Sequence, residues 1–249
     1  MALFGVALAK RFSIILAALD EDRNVKVMLE KIGGLFQKGR LPGLCEILVI
    51  NGNKSEKTMR IVDAASRKSK GYKIRLLFQK VSPGLVPAQL EGVKRAGSDI
   101  LVIMDCDLQH PPEDISRLIA EKERGYDLAV ASRRLGYEGD KRAFSRTVIS
   151  KVARRLAYAY VKRSRKLADP LSGFFAVDRK YLAGLEERPN LYKLLLYLIA
   201  ANPGITVSEI DFRFRQRLYG SSKIISASLR FIRNYMSELR YYREIERRG

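Results

Sequence analysis

Apolar residues along the first half of the chain fall into two alternating rhythms. Phe12–Ala17 is a short, continuous apolar run, and Asn24–Phe36 then places Val25, Met28, Leu29, Ile32 and Phe36 on one helical stripe. The unit repeats. Glu46–Ile50 predicts a strand and Glu56–Lys68 a helix; Lys73–Phe78 predicts a strand and Pro87–Ala96 a helix; Asp99–Met104 predicts a strand and Pro112–Arg124 a helix; Asp127–Ala131 closes the series. Strands nearly continuous in Ile, Leu and Val are buried on both faces, so the alternation predicts an α/β fold: a mostly parallel sheet with helices on both sides. Ligands of such sheets sit beyond the carboxyl ends of the strands. That rule selects the loops after Ile50, Phe78, Met104 and Ala131.

Beyond Ala131 the rhythm changes. From Ala143 onward Val148, Ile149, Val152, Leu156 and Tyr160 recur at helical spacing with Lys151, Arg154 and Arg155 between them, which predicts a basic amphipathic helix. Gly173–Val177 and Ile205–Phe212 predict a strand pair around a helical run at Tyr192–Ala201, and a basic helix is expected from about Ile225 to Arg247. No repeat, low-complexity tract or linker interrupts the chain. Residues 1–249 therefore read as a single domain, with a first half at 1–131 and a second at 132–249.

Composition narrows the class. The chain has 249 residues, 47% of them hydrophobic, enough for one substantial core. Lys and Arg number 47 against 27 acidic residues, a net charge of +20, so an anionic partner is expected: nucleic acid, a phosphorylated metabolite or an acidic membrane surface. Twelve of those cations lie between Arg133 and Lys166 against only Glu138 and Asp140, so this segment carries +10 of the total. Cys45 and Cys106 lie in strand-like apolar runs, which fits a reducing cytoplasm rather than a disulfide framework. Met1–Ala9 reads as a tail rather than a signal peptide, and Leu194–Ala201 is too short to cross a bilayer. Nucleic-acid binding is not expected, because neither base-stacking aromatics on a sheet face nor a recognition-helix motif is present.

Candidate chemistry concentrates at Met104-Asp105-Cys106-Asp107-Leu108-Gln109-His110-Pro111-Pro112-Glu113. Two carboxylates at i and i+2, just past a buried strand, can reach one cation; Mg2+ and Mn2+ take oxygen ligands and share them with substrate phosphates. His110, the only histidine, reads as scaffold at a helix entry rather than as a base. Gly84 alone makes no phosphate loop, and neither a zinc spacing nor a Ser-His-Asp triad can be assembled.

The run Asp105-Cys106-Asp107-Leu108-Gln109-His110-Pro111-Pro112-Glu113 resembles the D-A-D-L-Q-H-P-P-E of inverting, family 2 glycosyltransferases of the GT-A fold, in particular the dolichol-phosphate mannose synthase group. Asp169-Pro170-Leu171-Ser172-Gly173-Phe174-Phe175 is similar to that group's D-P-x-S-G-F-F, and Arg217-Leu218-Tyr219-Gly220-Ser221-Ser222-Lys223 to its R-x-x-G-x-S-K. The resemblance spans nearly the whole chain. It implies metal-dependent transfer of a hexose, mannose first, from a GDP- or UDP-sugar to dolichyl or polyprenyl phosphate at the cytoplasmic membrane face, with 1–131 binding the nucleotide sugar and 132–249 the acceptor. Alternatives are a transferase with a soluble or polysaccharide acceptor and a non-enzymatic basic binding or regulatory protein.

Carried over by position, the resemblance implies that Asp105, Asp107 and Gln109 hold Mg2+ or Mn2+ and the donor diphosphate, with Arg217 and Lys223 on its other side. Arg133 and Arg146 would contact the acceptor phosphate, with Asp169 and Ser172 in the acceptor loop. Two segments depart from the pattern. The family's P-T-Y-N-E is here Ala17-Ala18-Leu19-Asp20-Glu21, which offers an acidic pair, Asp20 and Glu21, as donor contacts. Its D-D-G-S-x-D is here Asn51-Gly52-Asn53-Lys54-Ser55-Glu56, so Asn51 stands where an acid reads the base, and the donor pocket is expected to be remodelled.

Overall fold

The computed structural model describes residues 10–18, 21–52, 55–79, 84–133, 143–213, 215, 218–219 and 229–249; of 143–147 and 229–231 only the backbone is described. The apolar runs become β1 (Phe12–Ala18), β2 (Leu44–Asn51), β3 (Lys73–Phe78), β4 (Ile100–Asp105), β5 (Leu128–Arg133), β6 (Phe175–Asp178) and β7 (Val207–Phe212). They form one seven-stranded sheet in the order β3-β2-β1-β4-β6-β5-β7. Only β6 runs antiparallel to its neighbours, β4 and β5. The register sets Ala17 opposite both Ile50 and Asp105, and Asn51 opposite both Ala18 and Phe78. The carboxyl ends of β1 to β4 therefore finish side by side.

The helices are α1 (Asp22–Gln37), α2 (Glu56–Lys68), α3 (Leu85–Arg95), α4 (Ile115–Glu123), α5 (Ala143–Tyr160), α6 (Leu194–Ala201) and α7 (Leu229–Arg248). Alternation along β1 sends Ile14 and Leu16 to one face, against Val25, Met28 and Ile32 of α1 and Leu118 of α4, while Ile15 faces Val86, Leu90 and Val93 of α3 in the opposite layer. Each such fully buried side chain contributes about 1.5–3 kcal/mol. Residues Leu194–Ala200 of α6 are buried on every side, as expected of a helix apolar all round, and α7 lies against it. Gly92 permits the approach of α3 to the sheet: a Cβ there would fall 2.7 Å from Ile15 Cγ2.

Several boundaries differ from the expectation. The helix expected at Pro112–Arg124 opens as a 3-10 turn, Pro112–Asp114, before α4. The strand expected from Gly173 begins at Phe175, because Gly173 and Phe174 belong to a loop tied to the end of β5. The strands expected around the Tyr192–Ala201 run are not neighbours, since β5 lies between them. Cys106 is buried just past β4 rather than inside it, and both cysteines are free. Among the described residues no helix is long and apolar enough to cross a membrane.

Candidate active site

The carboxylate pair lies at the predicted strand end. Asp105 is the last residue of β4, with its side chain 36% exposed, while Asp107 is buried and accepts the Gln109 amide through Oδ1 at 3.0 Å. Leu108, directly after Asp107, has φ 66°, a left-handed conformation that costs a leucine on the order of 1–3 kcal/mol. That turn keeps both carboxylates on one short loop. His110 closes it: its Nδ1 accepts the Asp105 amide at 3.1 Å, and its ring stacks on Phe174 and meets the edge of Phe212. Burial presses the imidazole down to about 4, against the pull of Asp107. A neutral ring accepting at Nδ1 carries its proton on Nε2, so His110 has no lone pair to offer as a base. It is scaffold, as its sequence context predicts.

The second motif packs directly onto the first. A Cβ on Gly173 would lie 3.3 Å from Asp105 Oδ2 and 3.3 Å from His110 Cε1, so the absent side chain leaves room for the carboxylate. Ser172 is buried; its hydroxyl donates to the Ala131 carbonyl at 2.6 Å and accepts the Phe174 amide at 3.2 Å, stitching the loop to β5. Removing both bonds in a buried setting costs about 1–3 kcal/mol. Asp169 takes Arg133 in a two-point fork, Nε to Oδ2 at 2.6 Å and Nη2 to Oδ1 at 2.8 Å. Burial would raise the Asp169 carboxyl, but Arg133 holds it below the ordinary carboxylate value; the pairing likewise outweighs burial and raises Arg133. Asp169 thus orients Arg133, whose side chain remains 31% exposed.

On the donor side, Glu21 precedes α1 and accepts from the Asn24 amide, which also donates to the Tyr219 carbonyl at 3.1 Å. Tyr219 of the third motif is thereby brought onto the start of α1. Gln109 exchanges bonds with the backbone of Arg215 in the same stretch, 3.1 Å from the Arg215 amide to its carbonyl. Asn51, at the end of β2, is buried, and its carbonyl accepts the Gln79 amide. Asp20, Arg217 and Lys223 lie outside the described residues, as does the Arg146 side chain, although its backbone belongs to α5. Asp105, Asp107, Gln109, Arg133, Asp169 and Ser172 therefore gather in one place, with Glu21 and Asn51 along the neighbouring strand ends. Among the described residues no group of three or more His, Cys, Asp or Glu side chains is arranged to enclose a metal.

Three further residues escaped the sequence reading. Glu209 of β7 accepts the Ala168 amide and the Ser132 hydroxyl, holding the start of the second motif. Lys193, just before α6, lies within electrostatic reach of Arg133, Asp105 and Asp169, and Glu238 of α7 accepts its backbone amide. None sits in a motif. Only Lys193 carried a signal, a lone cation at the edge of an all-apolar helix.

Comparison with known proteins supplies the family. Residues 13–185 match the profile of Glycosyl transferase family 2. The chain is 30% identical over 240 residues to a dolichol-phosphate mannosyltransferase of Pyrococcus furiosus, covering 95% of this chain and 66% of that one. It is also 30% identical to the dolichol-phosphate mannosyltransferase of Saccharomyces cerevisiae, covering 92% and 85%. The crystal structure of glucosyl-3-phosphoglycerate synthase from Mycobacterium tuberculosis in complex with Mn2+, uridine-diphosphate and glucosyl-3-phosphoglycerate shares the fold, with TM-score 0.71, 18% identity and coverage of 95% and 81%. With the acidic loop after β4 and the Asp169–Phe175 loop packed together at the carboxyl end of a GT-A-like sheet, the chain belongs to glycosyl transferase family 2 and is a glycosyltransferase.

Proposed function

We propose that this enzyme transfers a hexose, mannose first, from a GDP- or UDP-sugar to dolichyl or polyprenyl phosphate with inversion at the anomeric carbon. The observation that carries this reading is the junction of an acidic pair with the Arg133–Asp169 fork through one loop, Gly173 lying against the Asp105 carboxylate. The mannosyltransferase relatives supply the lipid phosphate. Asp105, Asp107 and Gln109 offer only oxygen ligands on one side, a set that suits Mg2+ or Mn2+ shared with a diphosphate rather than a closed protein cage. The Mn2+ bound by the mycobacterial neighbour supports a divalent ion. Such an ion supplies charge neutralisation to the departing diphosphate.

The chain's own groups account for the rest. Glu21 and Asn51 serve the nucleotide side, and the family motif assigns Arg217 and Lys223 to the departing diphosphate. Arg133, fixed by Asp169, and Arg146 hold the acceptor phosphate against its repulsion from the donor. A phosphate monoester has its second pKa near 6 and is itself the nucleophile, so no protein base is required. Its oxygen forms the bond to the anomeric carbon while the bond to the nucleoside diphosphate breaks. The neutral His110, locked through Nδ1, agrees with a base-free mechanism.

We further propose peripheral contact with the cytoplasmic face of an anionic membrane. Val148, Ile149 and Val152 of α5 and Ile232 of α7 are large apolar side chains left 44–50% exposed, within and beside the most basic part of the chain. Each Lys or Arg near an anionic surface contributes about 1 kcal/mol. The function is tested by incubating the purified protein with labelled GDP- and UDP-hexoses and either polyprenyl phosphate or 3-phosphoglycerate, with Mn2+ or a chelator. Metal-dependent label in the lipid product is the expected result; label confined to a soluble acceptor would replace this reading.

A further inference from the structure

Lys193 stands out as a cation in the loop directly before the all-apolar helix α6. It lies at the mouth of α6, half-buried, on a short strap held from two sides. On one side the Leu191 carbonyl accepts the Val86 amide of α3 at 3.0 Å. On the other, Glu238 of α7 accepts the Tyr192 and Lys193 amides at 2.7 and 2.8 Å and the Tyr242 hydroxyl at 2.7 Å, all on one oxygen. Glu238 and Tyr242 are buried, so the strap is fixed. The charges acting on the Lys193 ammonium are those of Arg133, Glu238, Asp105 and Asp169, and Lys193 acts in turn on His110 and Asp169. With its backbone anchored at the start of α6, Lys193 therefore lies within electrostatic range of the candidate active site.

Among the described residues no carboxylate lies within salt-bridge distance of this ammonium. Arg133, by contrast, commits both Nε and Nη2 to Asp169, so much of its charge is already answered. An acceptor phosphate entering beside Asp105 and Asp107 meets two carboxylates and the donor diphosphate, and Arg133, already paired with Asp169, offsets only part of that repulsion. Burial, followed by Arg133, lowers the Lys193 pKa; the charge of an incoming anion acts in the opposite direction.

We propose that Lys193 is a phosphate-binding residue for the acceptor, and that Glu238 is its positioning residue, tying α7 to the active site. The proposal rests on the lipid-phosphate reading above and names a further contact for it. Its probe is farnesyl phosphate, a soluble phosphate monoester, followed by calorimetry in parallel with transfer kinetics on the full chain. Loss of one charge-assisted contact corresponds to about 10- to 100-fold. Lys193→Met should weaken farnesyl phosphate binding and raise the acceptor KM by that factor, leaving kcat and nucleoside diphosphate affinity within about twofold. Lys193→Arg should recover most of the binding. Glu238→Gln keeps the accepting oxygen and should behave as wild type, whereas Glu238→Ala should raise the acceptor KM without changing donor affinity.

Unchanged farnesyl phosphate affinity in Lys193→Met overturns the proposal, as does a loss of nucleoside diphosphate binding in place of acceptor binding. A Glu238→Ala variant that unfolds, or that loses donor and acceptor affinity together, overturns the positioning role. If the wild type binds farnesyl phosphate through Lys193 yet forms no lipid-linked sugar, the phosphate site stands and the lipid-phosphate function falls.

Discussion

Replacing Gly173 by alanine is a sharp perturbation of this centre. The added Cβ would sit 3.3 Å from Asp105 Oδ2 and 3.3 Å from His110 Cε1, tighter than ordinary van der Waals contact by a few tenths of an ångström, with Asp105 Oδ1 in ordinary contact at 3.7 Å. The His110 ring cannot yield, because Phe174 and Phe212 pack against it and its Nδ1 is bonded. The Asp105 carboxylate, 36% exposed, is the group that moves. Misplacing a catalytic group by 1 Å costs about 10²-fold, so a displacement of ~0.3–0.5 Å corresponds to about 3- to 10-fold in kcat/KM. Stability should hardly change: the alanine restricts the unfolded chain by about 0.4–1 kcal/mol, which offsets much of the crowding. Calorimetry gives Tm, and steady-state transfer across a Mn2+ titration gives the kinetic part. Gly173→Ala should need more Mn2+ for half-maximal rate, and Gly173→Val should lose about 10²-fold. Wild-type kcat/KM at every Mn2+ concentration in both variants would refute the reasoning that this glycine sets the position of Asp105.

Asp105→Asn and Asp107→Asn should each abolish most metal-dependent turnover while leaving far-UV circular dichroism unchanged; turnover of either variant at the wild-type rate in a chelator would remove the acidic pair from the mechanism. His110 is held neutral in the folded state at about 4, against about 6.5 when unfolded. The unfolded chain thus binds the extra proton between those values, and the contribution is complete above pH 6.5 and lost as pH falls toward 4. One proton over about 2.5 pH units amounts to about 3 kcal/mol, read by urea unfolding of the metal-free protein at pH 7 and pH 4.5; a His110→Gln variant should lack that part of the slope, and an equal slope in both would contradict the assignment. For the membrane, a Val148→Ser, Ile149→Ser, Val152→Ser triple variant should cosediment less with anionic vesicles, and the wild type should be released between 0.1 and 1 M salt as the Debye length falls from about 10 to about 3 Å; equal binding to neutral vesicles would count against an electrostatic contact.

The parallel frame was legible because strands buried on both faces write themselves as unbroken Ile-Leu-Val runs. The acidic pair was legible as chemistry, two carboxylates at a strand end, and the resemblance gave it partners. What the sequence could not carry was contact between distant segments. Gly173 against Asp105, Ser172 bonded to Ala131, and Asp169 gripping Arg133 join residues 36 to 68 positions apart, and no local pattern encodes such pairs. Ser172, expected at the acceptor, instead has its hydroxyl committed to the loop. The insertion of β6 between β4 and β5, antiparallel to both, likewise depends on a long return of the chain. Lys193 and Glu238 were hidden for the same reason, since their role arises only when α6 and α7 pack together.

The central claim is that donor and acceptor phosphates are held by separate groups, the acidic loop and Arg133, joined through the Asp169–Phe175 loop. Removing Arg133 outright would strand the buried Asp169, so the test is Arg133→Lys, which keeps the charge and loses the two-point fork. The measurement is the partition of a labelled nucleotide sugar between transfer to polyprenyl phosphate and metal-dependent hydrolysis. The account predicts that Arg133→Lys lowers transfer about tenfold or more while hydrolysis stays within about twofold of wild type. Equal loss of transfer and hydrolysis, or transfer at the wild-type rate, would contradict it.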